Sequence, residues 1–180
     1  MPHTYVNFVP GPLPPLPEGA RVNSYRVKSD GTSMWRVETD SSFEVSGGLR
    51  GVVQHLHYTT ADQRTDLAAR SQTELPAGET TAVLIPIRKS PEWWQMAHDQ
   101  RGHHFHGDAG HTAIGFPYAD KIFRRLYHAR YLGSRFDFLT YFEFPPEHEA
   151  AFRALLAELR ATKEWSYVEE EYEVWMRKLS

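Results

Sequence analysis

The sequence predicts an α+β fold of the ferredoxin-like kind, in which an antiparallel sheet is covered on one face by helices. The segment FDFLTYFEF at 136–144 alternates between two faces as a strand does, with four phenylalanines on one face. Residues 147–162 place four apolar side chains at the spacing of an amphipathic helix. The second half of the chain therefore reads strand, helix, helix, strand, helix, strand.

The first 20 residues are predicted to form a proline-rich N-terminal arm, and residues 21–180 a single domain. The arm contains PGPLPPLPEG at 10–19, and proline excludes this stretch from helix and central strand because it fixes φ and lacks an N–H donor. Ser90 and Pro91 are typical of the start of a helix. Periodicity and turn signals predict strands at 23–27, 33–38, 49–58, 80–90 and 167–178, and helices at 61–75, from 90 to near 107, and at 117–132.

Composition excludes several classes of protein. Lys and Arg number 20 against 23 Asp and Glu, giving a formal charge of −3, which disfavours non-specific nucleic-acid binding. The absence of cysteine excludes disulfide scaffolds, thiolate metal sites and a cysteine nucleophile. No apolar run approaches a membrane span and the N-terminus has no secretory pattern. We therefore expect a cytoplasmic protein with neither a nucleic-acid nor a membrane partner.

The ten histidines are the first candidates for chemistry. His103, His104, His106 and His111 lie close together, and imidazole is the commonest metal ligand. Their spacing matches no standard zinc motif, and the first three are more simply explained as solvated residues near a helix end, where a cation suits the helix dipole. His111 differs, because a glycine precedes it and an apolar stretch follows.

Charged residues in apolar surroundings form a second signal. At helical spacing, one of Arg124 and Arg125 must face inward, Lys89 follows the apolar run VLIPI, and Glu164 adjoins Trp165. Each is more simply explained as a surface residue that is paired or that extends its charged end to solvent. The chain has neither a serine nucleophile elbow nor a phosphate-binding glycine loop.

Together these residues resemble the chlorite dismutase family in its short-chain, dimeric branch. The resemblance covers roughly residues 48–172 and rests on KSxEWW, on the His111-to-Arg124 spacing, on LYHxRxLGxxFDFLTYFE, and on KEW after the last helix. It implies a dimeric α+β barrel made of ferredoxin-like antiparallel sheets with helices outside. It also implies a homodimer with one haem b per subunit and an oxidoreductase that converts chlorite to chloride and dioxygen.

The resemblance also implies roles for individual residues. His111 matches the proximal haem ligand, Glu164 the acid that hydrogen-bonds to it, and Arg124 the distal arginine that retains hypochlorite for recombination. Gln72 resembles the glutamine that holds this arginine. The residues matching those around the proximal side and the propionates are Lys89, Trp93, Trp94 and Tyr58. Gly115 and Pro117 interrupt the chain, which lets Arg124 return over the opposite face of the haem from His111.

Three alternatives remain at the level of sequence. A coproheme decarboxylase shares the proximal histidine, but Arg124 argues against it. A haem-binding, haem-sensing or peroxidase-like protein of the same fold would bind haem without releasing oxygen. A non-haem metal protein would use the histidine cluster instead.

Overall fold

Nine strands and five α-helices are formed by the residues that the structure, a computed structural model, describes: 3–40, 42–53, 61–106 and 110–179, without the side chains of Gln63 and Leu67. The strands are β1 (Tyr5–Pro10), β2 (Arg21–Val27), β3 (Ser33–Thr39), β4 (Leu49–Val53), β5 (Thr81–Lys89), β6 (Phe123–His128), β7 (Phe138–Phe144), β8 (Val168–Glu171) and β9 (Val174–Lys178). The helices are α1 (Ala61–Arg70), α2 (Pro91–Gln95), α3 (His98–His103), α4 (His111–Gly115) and α5 (Glu149–Arg160). None of these helices is long and apolar enough to cross a membrane.

The strands close into an antiparallel barrel. Eight of the described strands follow the order β7-β6-β4-β1-β3-β2-β9-β5, and β5 pairs back onto β7. The remaining described strand, β8, also pairs with β5, beyond the stretch of β5 that pairs with β9. The predicted α+β barrel with external helices is confirmed.

Closure between β4 and β6 depends on a glycine. These strands pair at Val52–His128 and Val53–Tyr127, and a Cβ atom at Gly51 would lie 2.6 Å from the Cβ of Tyr127. Any larger residue would therefore push the two strands apart.

Two apolar cores lie on opposite sides of the barrel wall. One fills the barrel interior with alternate side chains of six strands, among them Phe8, Leu84 and Tyr141. The other lies between the outer face of β5 and β7 and the apolar face of α5. Phe152 of α5 stacks on Phe144 of β7 at 4.9 Å between ring centroids, so α5 is anchored directly over β7.

The barrel interior also contains a fully buried carboxylate. Glu143 accepts hydrogen bonds from the hydroxyls of Tyr25 (2.8 Å), Tyr141 (2.5 Å) and Thr80 (2.8 Å), and Lys178 Nζ lies 3.3 Å from it. Burial, and then the neighbouring Glu143, raise the pKa of Tyr25, which keeps its hydroxyl protonated as a donor. The network joins β2, β7, β9 and the residue before β5.

Most predicted elements are confirmed, with shifted boundaries. Strands appear where 23–27, 33–38, 80–90 and 136–144 were predicted, and α5 buries all four of its predicted apolar residues. The strand predicted at 49–58 is observed to Val53, and its remainder lies outside the described residues. The helix predicted at 61–75 ends at Arg70.

The helix predicted over residues 117–132 is wrong, because its centre is β6. Phe123 and Tyr127 are buried inside the barrel, while Arg124 is directed outward. The apolar residues of this segment fit both a helical and a strand period. Its conformation is set by tertiary structure, because every residue of β6 pairs with β7.

The N-terminal arm is also shorter than predicted. Residues 5–10 form β1, which pairs with both β3 and β4 and buries Val6, Phe8 and Val9. Only the proline-rich residues after β1 remain outside the sheet, because the repeated prolines cannot continue the ladder.

Two further elements are divided. The helix predicted from Ser90 begins as expected but ends at Gln95, and α3 starts anew where Gln100 accepts the N–H of Ala97. The strand predicted at 167–178 forms two strands, β8 and β9, along one edge of β5.

We predict that Glu143→Gln destabilises the fold by about 3 kcal/mol or more, because it removes a buried charge and leaves its donors imperfectly paired. Urea unfolding measures the effect. The exposed Glu147→Gln is the control, for which we expect a change within about 0.5 kcal/mol. Equal effects of the two substitutions would contradict the assignment of Glu143 as a buried ionic centre.

Candidate functional site

A cavity of about 680 Å³ lies between the outer face of the barrel and the helices. Apolar side chains of β5, β7 and α5 form much of its wall, including Ile85, Phe142 and Leu155. Its polar lining contains His111, Arg124, Lys89 and Glu164. The structure therefore brings these four predicted site residues, together with Gln72, Trp93 and Trp94, to one largely apolar cavity.

His111 is the first residue of α4 and faces this cavity. The preceding Gly110 packs so closely on the backbone before it that a Cβ atom there would lie 2.5 Å from the carbonyl oxygen of His106. A glycine is therefore required for α4 to begin at this place. The ring Nδ1 of His111 lies 2.8 Å from Oε2 of Glu164.

Glu164 and Lys89 form a buried ion pair. Glu164 begins the 3₁₀ helix Glu164–Tyr167, Lys89 ends β5, and Nζ of Lys89 lies 2.5 Å from Oε1 of Glu164. Their side chains are only 5% and 4% exposed. The ammonium also lies 4.3 Å from the ring centroid of Trp93, a cation–π contact.

The protonation of His111 follows from its surroundings. Burial lowers the pKa of His111, against the opposing effect of Glu164, so the imidazole is neutral at pH 7. Burial alone would raise the pKa of Glu164, but its hydrogen bond to His111 and its ion pair with Lys89 lower the pKa to about 2. The neutral ring thus donates Nδ1–H to an ionised carboxylate, which leaves the lone pair of Nε2 toward the cavity.

Arg124 contacts the free Nε2 of His111. Its Nη2 is 3.1 Å from Nε2 of His111, so the guanidinium donates to the imidazole. Arg124 is accessible because it faces the cavity, yet the enclosing walls desolvate it and lower its pKa. A guanidinium remains charged at neutral pH even so. Within the described part of the chain, Arg124 donates to the neutral His111 ring and forms no ion pair with a carboxylate.

The other predicted site residues divide into three groups. Trp93 and Trp94 both line the cavity. Trp94 lies nearly parallel to Phe138, with ring centroids 6.0 Å apart, and Trp93 is buried beneath Lys89. Gln72 also lines the cavity, but its amide donates to the backbone oxygen of Asp120 at 2.8 Å instead of holding Arg124. Tyr58 lies outside the described residues.

Three residues near the cavity were missed by the sequence analysis. His128 lies on the same outward face of β6 as Arg124 and lines the cavity, which a strand assignment for this segment would have indicated. Arg130 lies over the Trp94 ring at 3.6 Å. The buried Asp137 accepts a hydrogen bond from the backbone N–H of Lys89 at 2.8 Å. The sequence indicates this residue only by placing an acid in a strand rich in aromatic residues.

The histidine cluster does not assemble into a metal centre within the described part of the chain. No group of three His, Cys, Asp or Glu side chains there could hold a metal ion. His104 instead packs its ring against Trp93 and Tyr167, at 5.7 and 5.3 Å between centroids. The non-haem alternative thus lacks support from these residues.

Comparisons with known proteins agree on one family. The sequence model described as chlorite dismutase matches residues 23–179. The chlorite dismutase of Ideonella dechloratans is 30% identical over 126 residues, which is 69% of this chain but 42% of that protein. The match therefore spans less than half of that relative.

Solved structures show the same architecture. A dimeric chlorite dismutase from Nitrobacter winogradskyi has a TM-score of 0.76 and 33% identity, covering 95% of this chain and 98% of that one. Chlorite dismutase from Candidatus Nitrospira defluvii, solved with imidazole, has a TM-score of 0.79 with 21% identity, over 98% of this chain and 91% of that one. At that identity the second similarity concerns the fold alone.

We predict that Glu164→Gln destabilises the chain by about 3 kcal/mol at pH 7, since Lys89 loses its buried counter-charge. A carboxyl group whose pKa falls from 4.5 to about 2 on folding stabilises the fold above pH 4.5 and loses that contribution as the pH falls toward 2. The difference between parent and variant should therefore shrink across this window.

Urea unfolding at pH 7 and at pH 3 measures this change. The matched control is Glu149→Gln, an exposed partner of Arg153 for which we expect less than about 1 kcal/mol. A parent–variant difference that stays constant from pH 7 to pH 3 would show that Glu164 is not the ionised centre of the site.

Proposed function

The chain belongs to the chlorite dismutase family, and from this membership we propose that it is a haem b enzyme that converts chlorite to chloride and dioxygen. One observation carries the proposal. A neutral histidine, fixed by a carboxylate on Nδ1, presents Nε2 to an apolar cavity that also contains an arginine cation.

The residues present fit a haem. His111 would hold the iron through Nε2, and Glu164 fixes its ring orientation and tautomer, as outer hydrogen-bond partners of metal-bound histidines do. The cavity volume of about 680 Å³ lies within the range of small-molecule sites. Its apolar walls suit a porphyrin. Lys89, Trp93 and Trp94 would border the group, with Tyr58 and Gln72 added by the family resemblance.

The proximal side of the site controls the electron density at His111. When bound, the haem supplies redox-active iron for oxygen-atom transfer with chlorite. Glu164 accepts a hydrogen bond from Nδ1–H and so gives the imidazole partial imidazolate character. The His111 ring is therefore a stronger electron donor. Lys89 keeps Glu164 ionised and in place, so the two act together on a single ring nitrogen.

The distal side of the site handles anions. Chlorite is a small monoanion, and so is the hypochlorite that remains after chlorite loses one oxygen atom. Arg124 is a cation in a cavity of low polarity, where the attraction between opposite charges is strong. Arg124 retains the hypochlorite until the dioxygen bond forms and chloride leaves. The atoms balance, since one chlorite yields one chloride and one dioxygen.

Arg124 changes partner in this scheme. It donates to Nε2 of His111, the same lone pair that would bind iron. The nitrogen cannot serve both uses at once, so the Arg124 guanidinium would give up this hydrogen bond if Nε2 bound iron, and it could then donate to an anion.

A homodimer in the cytoplasm completes the proposal. The Nitrobacter winogradskyi protein, which this chain resembles over nearly its whole length, is described as dimeric. We predict a sedimenting species of twice the chain mass of 20.8 kDa, measured by analytical ultracentrifugation. A species of single chain mass at micromolar concentration would contradict the homodimer.

We predict that Arg124→Ala retains haem but releases dioxygen from chlorite about 100-fold more slowly or worse, because a charge-stabilising donor is lost. Oxygen evolution in a closed cell, with the haem-loaded chain, measures the rate. The variant should also bleach faster, since hypochlorite escapes.

The control for this experiment is Arg153→Ala on the exposed face of α5. Loss of all haem from Arg124→Ala would contradict its distal role. A normal haem spectrum without oxygen release in the parent chain would instead indicate a haem-binding or peroxidase-like function.

A further inference from the structure

We propose that Asp137 is a positioning residue for the proximal hydrogen-bond chain, which we define as Lys89, Glu164 and His111. Its carboxylate fixes the backbone of Lys89 and thereby holds the ammonium group on Glu164. The functional importance of this role rests on the proposed function, in which His111 holds the haem. The contacts of Asp137 themselves do not depend on haem.

The end of β5 lacks regular ladder partners. Its neighbour β7 begins at Phe138, opposite Ile87, two residues before β5 ends. On the other edge, the register against β8 shifts between Arg88 and Lys89. Irregular pairing of this kind commonly re-aims side chains beside functional sites. The N–H of Lys89 therefore needs an acceptor from outside the ladders, and Oδ2 of Asp137 supplies it at 2.8 Å.

The carboxylate of Asp137 is presented from a fixed backbone. The N–H of Asp137 donates to the carbonyl of Ile87 at 2.8 Å, and its own carbonyl accepts from Ala129 at 2.9 Å and from Arg130 at 3.2 Å. Asp137 is also buried, with 8% of its surface exposed. It thus links the ends of β5 and β6 before β7 begins.

The second oxygen of Asp137 extends the same link to the cavity wall. Oδ1 lies 3.9 Å from Nε of Arg130, and the Arg130 guanidinium covers the Trp94 ring at 3.6 Å. One carboxylate therefore connects the backbone of Lys89 with the aromatic wall that Trp94 forms.

The effect reaches His111 through two short contacts. Nζ of Lys89 lies 2.5 Å from Oε1 of Glu164, and Oε2 of Glu164 lies 2.8 Å from Nδ1 of His111. A shift of the Lys89 backbone moves the ammonium group off the carboxylate. The next residue, Ser90, keeps its own bond to the carbonyl of Tyr167 at 2.7 Å, so loss of Asp137 should loosen this alignment without unfolding the chain.

The test measures the ring ¹⁵N chemical shifts of His111 by NMR in the full chain without haem. We expect Asp137→Ala to move these shifts in the same direction as Lys89→Met, and the double variant to move them no further than Lys89→Met alone. Asp137→Asn should restore the parent shifts, because its amide oxygen still accepts the N–H of Lys89.

The matched control is Glu169→Gln. Glu169 lines the same surface cavity of about 410 Å³ as Asp137 but pairs with Arg88, so its substitution should leave the His111 shifts unchanged. Unchanged shifts in Asp137→Ala, or additive shifts in the double variant, would overturn the proposal.

A second measurement requires no substitution. We expect a scalar coupling across the hydrogen bond between the amide nitrogen of Lys89 and Cγ of Asp137, and its absence would overturn the proposal even if Asp137→Ala does not fold.

In the haem-loaded chain, Asp137→Ala should release haem about 10-fold faster, the lower end for loss of an outer partner of a ligating histidine.

These readouts separate two kinds of failure. The NMR tests use the chain without haem, so a parent chain that binds no haem would refute the proposed function while leaving the role of Asp137 to be decided by the shifts. Haem binding with unchanged His111 shifts in Asp137→Ala would refute the role of Asp137 alone.

Discussion

The buried carboxylate of Glu164 is the constraint on which the site depends. An ionised carboxylate at this depth costs several kcal/mol unless charged and hydrogen-bonding partners surround it. Its two oxygens are satisfied by Lys89 at the end of β5 and by His111 at the start of α4. Three segments distant in sequence must therefore meet at one point, and this meeting sets both the tautomer of His111 and the direction of its free nitrogen.

The barrel wall separates this site from a second buried carboxylate. Glu143 lies inside, satisfied by tyrosine and threonine hydroxyls and by Lys178, whereas Glu164 lies outside beneath α5. Because side chains alternate along a strand, a single strand serves both regions. On β6, the Tyr127 hydroxyl accepts a hydrogen bond from the buried Arg36 of β3, whose guanidinium lies 5.3 Å from the ring centroid of Tyr141 in the interior network. Arg124 of the same strand is directed into the cavity. A displacement of this strand would therefore affect fold stability and the site together.

The elements with one dominant period, such as β7 and α5, were predictable from sequence. The segment around Arg124 was not, because its apolar residues fit a helix and a strand equally, and only pairing with β7 decides between them. The partner of Gln72 was missed for a different reason. Its acceptor is a backbone oxygen 48 residues away, and no local pattern encodes such a contact. The link between Asp137 and Lys89 spans the same separation, so it too emerges only in three dimensions.

The strand assignment of β6 changes the chemistry of its two adjacent arginines. On a helix, one of Arg124 and Arg125 would face inward and the other would be solvated. On the strand both line the cavity but have different partners: Arg125 donates to the backbone oxygen of Thr73, while Arg124 reaches Nε2 of His111. That nitrogen has one lone pair, which either an N–H donor or a metal can use. In the proposed function, binding of iron at Nε2 would therefore replace the hydrogen bond from Arg124, and this N–H of the guanidinium would then be free for an anion.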